Sequence, residues 1–486
     1  MHLYPTRIKG LRWKLIRDPI YNYIFFSKEV EGRLLDTLYL QRLRRIRQLQ
    51  VAYLVYPGAD HSRFQHSLGT MHLSGLFAEQ LLSVLEEYED LEGYDKSELV
   101  EATRIAGLVH DLGHGPYSHA FEEAILFRSK ELSKKELGNH ELVGLALMRT
   151  EGFKNVIEEC SSKANLEGLC DLVDKIMDDK KPADRIISLL RKTIKAWIYP
   201  ADIMDFLMRD SYYTGTREYG TIDYYRLITY SYPYEDLIVL DRNALYSLRS
   251  FLQSRYYMFE TVYLHKVCRS FDYMVQLMMK EASEYLELES RVLSILEGKP
   301  EAFLELDDFN VLYMINKIPS KDAKAERAKY YLKCLLERIN LWKPVGQPIE
   351  ITFPLDAMGH FMFKYGDIEK AARDIKDKVI EYMVKNDALK VYADDIWVDH
   401  NLKRTLPALP YPLETLRLAK LEEGVSIVSK VEVPKLLEES GLSPRVTFTL
   451  YVPSKLVKDT SLRVLMENIV DKVYSETFSV TKAITM

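Results

Sequence analysis

The spacing of apolar residues predicts helices along the first part of the chain. From residue 27 to about residue 285, apolar side chains recur every three or four positions. The stretch SKEVEGRLLDTLYLQRLRRIRQLQ places an apolar face on a helix, formed by Leu34, Leu35, Leu38, Leu43 and Ile46. A second stretch, SELVEATRIAGLVHDLGH, predicts a helix that ends at Leu112, because Gly113 follows.

The pattern changes after about residue 345. Apolar and polar residues alternate in GQPIEITFPL, ALKVYADDIWVDH, GVSIVSKVEVP and RVTFTLYVP, which predicts strands. Helical spacing returns between them, for instance in DIEKAARDIKDKVIEYMVKN. The sequence therefore predicts a mostly α protein, with a helical core over residues 1–285, a helical connector over 286–345 and a smaller α+β region over 346–486.

Composition narrows the class of protein. At 486 residues the chain exceeds the size of a domain with one core, and 47% of its residues are hydrophobic. No apolar run is long enough to span a bilayer, and the N-terminus predicts no signal peptide. The four cysteines form no CxxC pair, which favours a reducing, cytoplasmic location. The net charge of −6 argues against a long nucleic acid as the main partner.

Residues 110–123, HDLGHGPYSHAFEE, hold three of the eleven histidines. His110 and Asp111 would point about 100° apart inside a helix, but at a helix end they can converge on one cation. An imidazole with a carboxylate suits Zn, Mn, Fe, Ni or Co. His66 and Asp202 are the candidates to complete the ligand set. The alternative for an isolated His-Asp pair is a surface hydrogen bond.

Two longer motifs carry a family resemblance. YPGADHSRFQHSLG and HDLGHGPYSH resemble the deoxynucleoside triphosphate (dNTP) triphosphohydrolases of the HD-domain phosphohydrolase family, and the resemblance extends over about residues 14–266. It implies a helical HD-domain core and one divalent metal ion, which could also be Mg. The metal ligands that it implies are His66, His110, Asp111 and Asp202.

The resemblance also implies a set of catalytic residues, which are His114, His119, Glu122 and His140. His114 and His119 would contact phosphate and transfer protons, and Glu122 would orient an imidazole. His119 and Glu122 are three residues apart, so a helix places them on one face. For each histidine alone, a hydrogen-bonded structural role is the alternative. His61, His72 and His265 receive no definite role.

A further set is implied for the substrate, consisting of Gln48, Leu49, Arg63, Asp210, Arg255 and Tyr263. Gln48 and Leu49 would approach the deoxyribose, Asp210 would bind its 3′-hydroxyl and Tyr263 would pack on the ring, crowding out a 2′-hydroxyl. The two arginines would bind phosphate. The alternatives are a surface salt bridge for Arg63 and a core aromatic for Tyr263.

The sequence departs from the family after the last metal ligand. Relatives carry DK-xx-Y there, with the lysine and the tyrosine on phosphates, whereas this chain has Ile203 and Phe206. Losing a charged phosphate contact costs on the order of 1.5–3 kcal/mol of binding. Triphosphate affinity would then be lower, another basic group would compensate, or the substrate would carry fewer phosphates.

A regulatory site is implied at four positions, Lys14, Asp36, Gln41 and Arg44. In regulated relatives such residues bind an activating GTP or dGTP between subunits, so the resemblance predicts a homo-oligomer, either a dimer or a tetramer. The alternative is an amphipathic helix with a solvated basic face.

The sequence favours a metal-dependent hydrolase that cleaves dNTPs at the α-phosphate into deoxynucleoside and triphosphate. Two alternatives stay open. One is an HD phosphohydrolase that acts on a nucleoside monophosphate or a guanosine alarmone. The other is an oligomeric nucleotide-sensing scaffold with little turnover.

Overall fold

The computed structural model describes residues 11–88, 91–166, 168–195, 197–352, 368–400, 415–421, 424–432, 436, 439 and 445–478. Helices dominate, and the described strands form three sheets. The predicted mostly α fold with strands in the C-terminal region is confirmed. No helix in these ranges combines the length and the apolar character needed to cross a bilayer.

The described helices are α1 (Glu31–Leu35), α2 (Leu38–Arg42), α3 (Arg63–Tyr88), α4 (Lys96–Val109), α5 (His119–Phe121), α6 (Lys130–Lys134), α7 (His140–Met148), α8 (Glu151–Ala164), α9 (Leu169–Met177), α10 (Arg185–Ile194), α11 (Ala201–Thr214), α12 (Tyr224–Thr229), α13 (Leu245–Met258), α14 (Lys266–Ala282), α15 (Leu288–Leu293), α16 (Glu301–Leu304), α17 (Asp308–Lys317), α18 (Ala323–Leu336), α19 (Ile368–Val384), α20 (Ser454–Lys458) and α21 (Thr460–Phe478). The described strands are β1 (Trp13–Asp18), β2 (Asn22–Ser27), β3 (Ser231–Tyr234), β4 (Leu237–Asp241), β5 (Trp342–Pro344), β6 (Ile349–Thr352), β7 (Trp397–His400), β8 (Thr415–Leu421), β9 (Val425–Glu432) and β10 (Arg445–Pro453). Turns of 3-10 helix lie at Leu43–Arg45, Ala52–Leu54, Arg217–Tyr219, Arg242–Ala244 and Lys390–Asp395, and π-helical turns lie at Glu122–Leu126 and Phe259–Tyr263.

The long helix α3 is the axis of the helical core. It is buried around most of its circumference, as expected for a helix with apolar and small residues on all faces. Its glycines allow close packing, since a Cβ on Gly69 would lie 1.8 Å from Asp205 Oδ1 and one on Gly75 would lie 2.6 Å from the side chain of Arg104. Helices α4 and α11 therefore approach α3 closely, which brings their functional residues together.

Three predicted elements differ in the structure. The helix predicted after Ser27 is broken into α1, α2 and a 3-10 turn, because Thr37 caps a new helix by accepting the Leu40 N–H at 3.5 Å. The helix predicted to reach Leu112 ends at Val109, and a tight turn follows. The strand predicted in ALKVYADD is a 3-10 turn, and only Trp397–His400 is extended.

The C-terminal strands enter two different sheets. Strand β10 pairs antiparallel with β5, β6 and β7. Strands β8 and β9 form a hairpin that instead extends the core hairpin β3–β4, with β8 parallel to β4 and Leu418 opposite Leu240. The region after residue 346 is thus attached to the helical core by backbone hydrogen bonds.

Helix α14 provides a second attachment for the C-terminal strands. Arg269 donates from Nε and Nη2 to the two carboxylate oxygens of Asp399, at 2.8 and 2.7 Å. Next to this pair, the Trp397 ring stacks between Tyr273 and Tyr451, with centroid distances of 4.4 and 4.2 Å. These contacts fix β7 and β10 against the start of α14.

A charged cluster is buried where the N-terminal hairpin meets α1 and α4. Arg104 donates from Nε to Glu31 and from Nη2 to the carbonyl of Phe25, and Ser27 donates to Glu101 at 3.4 Å. Glu31, Glu101 and Arg104 are all at most 1% exposed. Two carboxylates thus face one guanidinium. Burial, followed by the charge of Glu31, raises the pKa of Glu101 to about 8 although Arg104 opposes the shift.

This cluster predicts a pH-dependent stability. The folded protein holds the Glu101 proton more tightly than the unfolded chain, where the pKa is near 4.5. The free energy of unfolding should therefore fall as pH rises from about 4.5 to about 8, by up to about 1.4 kcal/mol per pH unit from this group. Urea unfolding of the wild type and of Glu101→Gln across this window checks the effect, because the variant should show the shallower slope. Equal slopes would contradict it.

Candidate metal centre and active site

Three helices deliver histidine and aspartate side chains to one point. His66 lies on the first turn of α3, His110 directly follows α4, and Asp202 lies on the first turn of α11. His66 Nε2 is 3.2 Å from His110 Nε2 and 3.0 Å from Asp202 Oδ1, and His110 Nε2 is 3.6 Å from Asp202 Oδ1. Asp111 completes the cluster, with Oδ1 3.3 Å from His110 Nε2 and Oδ2 3.7 Å from His66 Nε2.

The hydrogen bonds behind the two imidazoles fit a metal site. His110 Nδ1 is 2.8 Å from the Gly107 carbonyl, and His66 Nδ1 is 2.7 Å from Asp205 Oδ2. Each Nδ1 donates in these bonds, so each ring presents an Nε2 lone pair to the centre once Nε2 is deprotonated. The ligand atoms of His66, His110 and Asp202 lie within 4.8 Å of one another, and Asp111 lies beside them. Two imidazoles with carboxylates form a donor set suited to a borderline divalent ion.

The electrostatics of the centre attract positive charge. Burial lowers the pKa of His66, but the carboxylates of Asp202, Asp205 and Asp111 outweigh it and raise the pKa to about 10. Burial raises the pKa of Asp202, yet its bonds to His110 and His66 bring it well below its usual range. A cation placed here would meet ionised carboxylates.

Asp205 is a functional residue that the sequence analysis missed. Besides His66, its carboxylate accepts from Tyr21 Oη at 2.7 Å and from the Arg209 guanidinium at 2.9 and 3.0 Å. Arg209 in turn donates to Asp18 at 2.8 Å. This network fixes the ring of His66. The available signal was the spacing of Asp202 and Asp205, three residues apart and hence on one face of a helix.

A second cluster lies beside the metal centre and contains His114, His119, Glu122 and His140. Glu122 Oε1 accepts from His140 Nδ1 at 2.8 Å, and Oε2 accepts from His119 Nδ1 at 3.0 Å. The His114 ring stacks on that of His140 with centroids 3.9 Å apart and planes 15° apart. The His114 and His140 rings are nearly parallel, so their nitrogens point side by side, which suits proton transfer and phosphate contact. One nitrogen from each of His114, His119 and His140 lies within 4.8 Å of the others, so this cluster could also hold a metal ion.

Protonation differs among the members of this second cluster. Burial and the positive charge of Arg63 lower the pKa of His114 well below its usual range. Burial also disfavours the His140 cation, but the bond to Glu122 prevails and raises the pKa of His140. Burial raises the pKa of Glu122, and its bonds to His119 and His140 overcome this and hold the carboxyl ionised. The side chain of His119 is 47% exposed, so it is the imidazole most accessible to a ligand.

Arg63 is buried and ion-paired. It is 3% exposed, and it donates from Nη1 to Asp111 and from Nε to Ser118 Oγ at 2.7 Å. The surface salt bridge considered for this residue is therefore wrong. Its charge lies between the metal centre and the second cluster.

The residues predicted for the sugar form a connected group. Asp210 accepts from Tyr263 Oη and from His61 Nε2, both at 2.7 Å. The phenyl ring of Phe206 lies edge-on between His66 and Tyr263, with centroid distances of 6.4 and 6.1 Å. His61, which received no role from the sequence, thus belongs to the site. The signal for it was its place in DHSRFQH, two residues before Arg63.

The remaining substrate candidates border this group. Burial lowers the pKa of Arg255 to about 10, while the negative charge of Asp202 opposes the shift. The Gln48 backbone donates to the His61 carbonyl at 3.0 Å, and its buried Oε1 receives no hydrogen bond from the described residues. Leu49 is half-buried and packs in an apolar cluster with Ala52 and Cys268.

Three of the four predicted regulatory residues lie together. Arg44 donates to Gln41 Oε1 at 2.8 Å, and its guanidinium lies 3.6 Å over the ring of Phe64. Burial lowers the pKa of Arg44, and the nearby Asp36 carboxylate opposes this. Lys14 is exposed on β1. The continuous amphipathic helix considered as the alternative is wrong, because α2 is only five residues long.

Comparison with known proteins agrees with this geometry. Residues 63–196 match the HD domain, and residues 222–346 match the HD associated region. An uncharacterised protein of Bacillus subtilis, YwfO, is 31% identical over 62% of this chain and 65% of its own length. The deoxynucleoside triphosphate triphosphohydrolase SAMHD1 homolog of Dictyostelium discoideum is 27% identical over 92% of this chain and 84% of its own.

A crystal structure of a hypothetical protein from Aquifex aeolicus has the same fold. The TM-score is 0.61 at 24% identity, with 94% of this chain and 100% of the other covered. The chain spans just under two thirds of the Bacillus protein. It belongs to the HD-domain phosphohydrolases and carries the HD-associated region after its HD domain.

Proposed function

We propose that the protein hydrolyses dNTPs at the α-phosphate, releasing a deoxynucleoside and triphosphate. The observation that carries this proposal is the convergence of His66, His110, Asp111 and Asp202 beside a separate group of imidazoles held by Glu122. The name of the Dictyostelium relative, a deoxynucleoside triphosphate triphosphohydrolase, supports the same substrate class.

The four ligands would hold one divalent ion, which would be Zn, Mn, Fe, Ni, Co or Mg. When bound, such an ion supplies Lewis-acid polarisation of a phosphoryl oxygen and a lowered pKa of water. The guanidinium groups of Arg63 and Arg255 add positive charge where the phosphates would bind. Ile203 and Phe206 contribute no charge, so these arginines would be the compensating basic groups.

Proton transfer falls to His119. As the oxygen of water bonds to the α-phosphorus and the bond from phosphorus to the 5′-oxygen breaks, that oxygen needs a proton. Glu122 holds His119 at Nδ1, which leaves Nε2 to deliver it. His140, fixed by the same carboxylate, and His114, stacked upon it, would contact the phosphate.

The sugar would be recognised by Asp210 and Tyr263. The Asp210 carboxylate has lone pairs beyond those used by Tyr263 and His61, so it can accept a 3′-hydroxyl. The Tyr263 ring, held by that hydrogen bond, would leave no room for a 2′-hydroxyl. Gln48 would offer its buried Oε1 to the sugar.

A second candidate function is hydrolysis of a nucleoside monophosphate. It is favoured by Phe206, whose ring lies beside His66 and Tyr263 where relatives place a polar phosphate contact. Hydrocarbon at this position weakens the case for a long phosphate chain.

Analysis of products distinguishes the candidates. The protein is incubated with each dNTP or deoxynucleoside monophosphate and with each divalent metal, and the products are separated. Inorganic triphosphate with free deoxynucleoside is expected. Orthophosphate from a monophosphate would support the second candidate instead. No turnover under any condition would favour the nucleotide-sensing scaffold.

An activating nucleotide is proposed for Asp36, Gln41 and Arg44, with Lys14 on its phosphates and with formation of a dimer or tetramer. The exposed guanidinium of Arg44, already bonded to Gln41, supports this site. Adding GTP or dGTP is expected to raise both the rate and the mass in solution. If neither changes, there is no such activator.

A further inference from the structure

Arg42, the last residue of α2, is fully buried at the junction of three chain segments. Its Nη2 donates to the His114 carbonyl at 2.8 Å, and its Nη1 lies 3.4 Å from the Leu112 carbonyl. Its Nε donates to the Leu306 carbonyl at 2.8 Å. The guanidinium therefore joins the HD-motif turn to a segment of the HD-associated region. Burial lowers the pKa of Arg42 to about 9, against the attraction of neighbouring aspartates.

Asp308 reaches the same turn from the other side. It is the first residue of α17 and is fully buried. Its Oδ1 accepts the backbone N–H of Tyr117 at 2.7 Å, and its Oδ2 accepts the backbone N–H of Arg47 at 3.0 Å. We call residues 112–118 the HD loop. The short segment 306–308 thus contacts one end of this loop directly, at Tyr117, and the other end through the side chain of Arg42.

The HD loop has a backbone that needs such support. Tyr117 and Ser118 have φ values of 56° and 54°, in the region that favours glycine, and ψ of Ser118 is −117°. Conformations of this kind persist only where the surroundings impose them. His119 is the next residue, so the turn sets the direction of its side chain.

We propose that Asp308 and Arg42 are positioning residues that hold the HD loop and thereby place His114 and His119 at the active site. Neither residue would contact substrate. The HD-associated region then contributes to catalysis by fixing a backbone rather than by supplying a reacting group. Arg42 is also adjacent in sequence to Gln41, so a ligand bound there would act on the HD loop through one side chain. The kinetic part of this inference rests on the proposed function.

The chain contains a matched control for this pair. Arg45 donates to Asp307 Oδ2 at 2.5 Å, joining the same two segments without contacting the HD loop. Asp307 also caps α17 by accepting the N–H groups of Phe309 and Asn310 at 3.0 and 2.9 Å, which asparagine can do equally well. The variants Asp307→Asn and Arg45→Lys therefore weaken the junction and keep the hydrogen bonds to the HD loop. Arg45→Lys is the stricter control, because it also keeps the Asp307 charge that attracts Arg42.

Hydrogen exchange tests the positioning without any substrate. In Asp308→Asn the side chain has one accepting oxygen for the N–H groups of Tyr117 and Arg47. Its NH₂ group then faces whichever N–H the oxygen does not accept. Exchange at the Tyr117 amide should accelerate by about tenfold or more, as expected for a lost buried hydrogen bond. Arg42→Lys should loosen the same loop, because lysine cannot span three carbonyls. Exchange in the two control variants should match the wild type.

Kinetics and metal analysis complete the experiment. In Asp308→Asn and Arg42→Lys, kcat should fall about 10- to 100-fold, with KM within about twofold of the wild type. Metal content and the kinetics of the controls should stay unchanged. An equal loss of kcat in all four variants, or no loss of kcat in Asp308→Asn and Arg42→Lys, would overturn the inference. If the wild type hydrolyses no nucleotide, the proposed function fails. The difference in hydrogen exchange between these variants and their controls would still test whether Asp308 and Arg42 hold the HD loop. If Asp308→Asn does not fold, Arg42→Lys is compared with Arg45→Lys. If Arg42→Lys does not fold, Asp308→Asn is compared with Asp307→Asn.

Discussion

An Asp111→Ala variant is expected to lose its bound metal and its hydrolytic activity together. Asp111 is buried, its Oδ1 lies 3.3 Å from His110 Nε2, and its Oδ2 accepts from Arg63 Nη1. Removing even an outer partner of a metal ligand typically costs 10- to 100-fold in affinity or activity, so removing a ligand should leave less than about 1% of either. Elemental analysis of the purified protein, run with the product assay, measures both.

Two further variants separate the metal effect from damage to the fold. Asp111→Asn keeps a hydrogen-bond acceptor for Arg63 but lacks the charge, so it should fold and still lose the metal. Asp60→Ala removes an exposed carboxylate that forms an ion pair with Arg47, and this variant should behave as the wild type. An Asp111→Ala protein that retains full metal and activity would show that the centre is assigned wrongly.

A Glu122→Gln variant should retain its metal while kcat falls by about 10²- to 10⁴-fold, the usual contribution of a placed acid or base. The carboxylate accepts from both His119 and His140, and an amide has only one accepting oxygen. One imidazole would then lose its orientation and its charged partner. Measurement of kcat and KM with metal content checks this expectation.

The neighbouring acid is the control for this variant. Glu123 is the next residue along the chain and accepts from Gln276, so Glu123→Gln should be nearly as active as the wild type. Loss of metal from Glu122→Gln, or equal kcat in both variants, would contradict the assignment of His119 and His140 as a pair oriented by Glu122.

The sequence predicted those features that depend on residues close together along the chain. The run of His110, Asp111, His114, His119 and Glu122 lies within one turn-rich segment, and the structure gathers these side chains beside His66 and Asp202. The roles given to them stay predictions. The alternation after residue 345 likewise predicted β6, β7, β9 and β10, because a half-buried strand has a period of two.

What the sequence did not predict depends on partners far away along the chain. Arg42 and Leu306 are 264 positions apart, and His66 and Asp205 are 139 apart. No local pattern marks such a pair. Thr37 broke a helix that apolar spacing had favoured, because one side-chain hydrogen bond started a new helix at a position where spacing alone gave no signal.

The parallel pairing of β8 with β4 has a consequence for dividing this protein into pieces. Strand β4 pairs with β3 along one edge and with β8, from the C-terminal region, along the other. A fragment cut after residue 346 would keep the whole HD domain and its associated region, yet it would uncover the edge of β4 at Leu240 and Asp241, where β8 pairs. Such an open edge recruits strands from other molecules. Shortened forms of the chain should therefore be poorly behaved at high concentration even with every ligand of the metal centre in place.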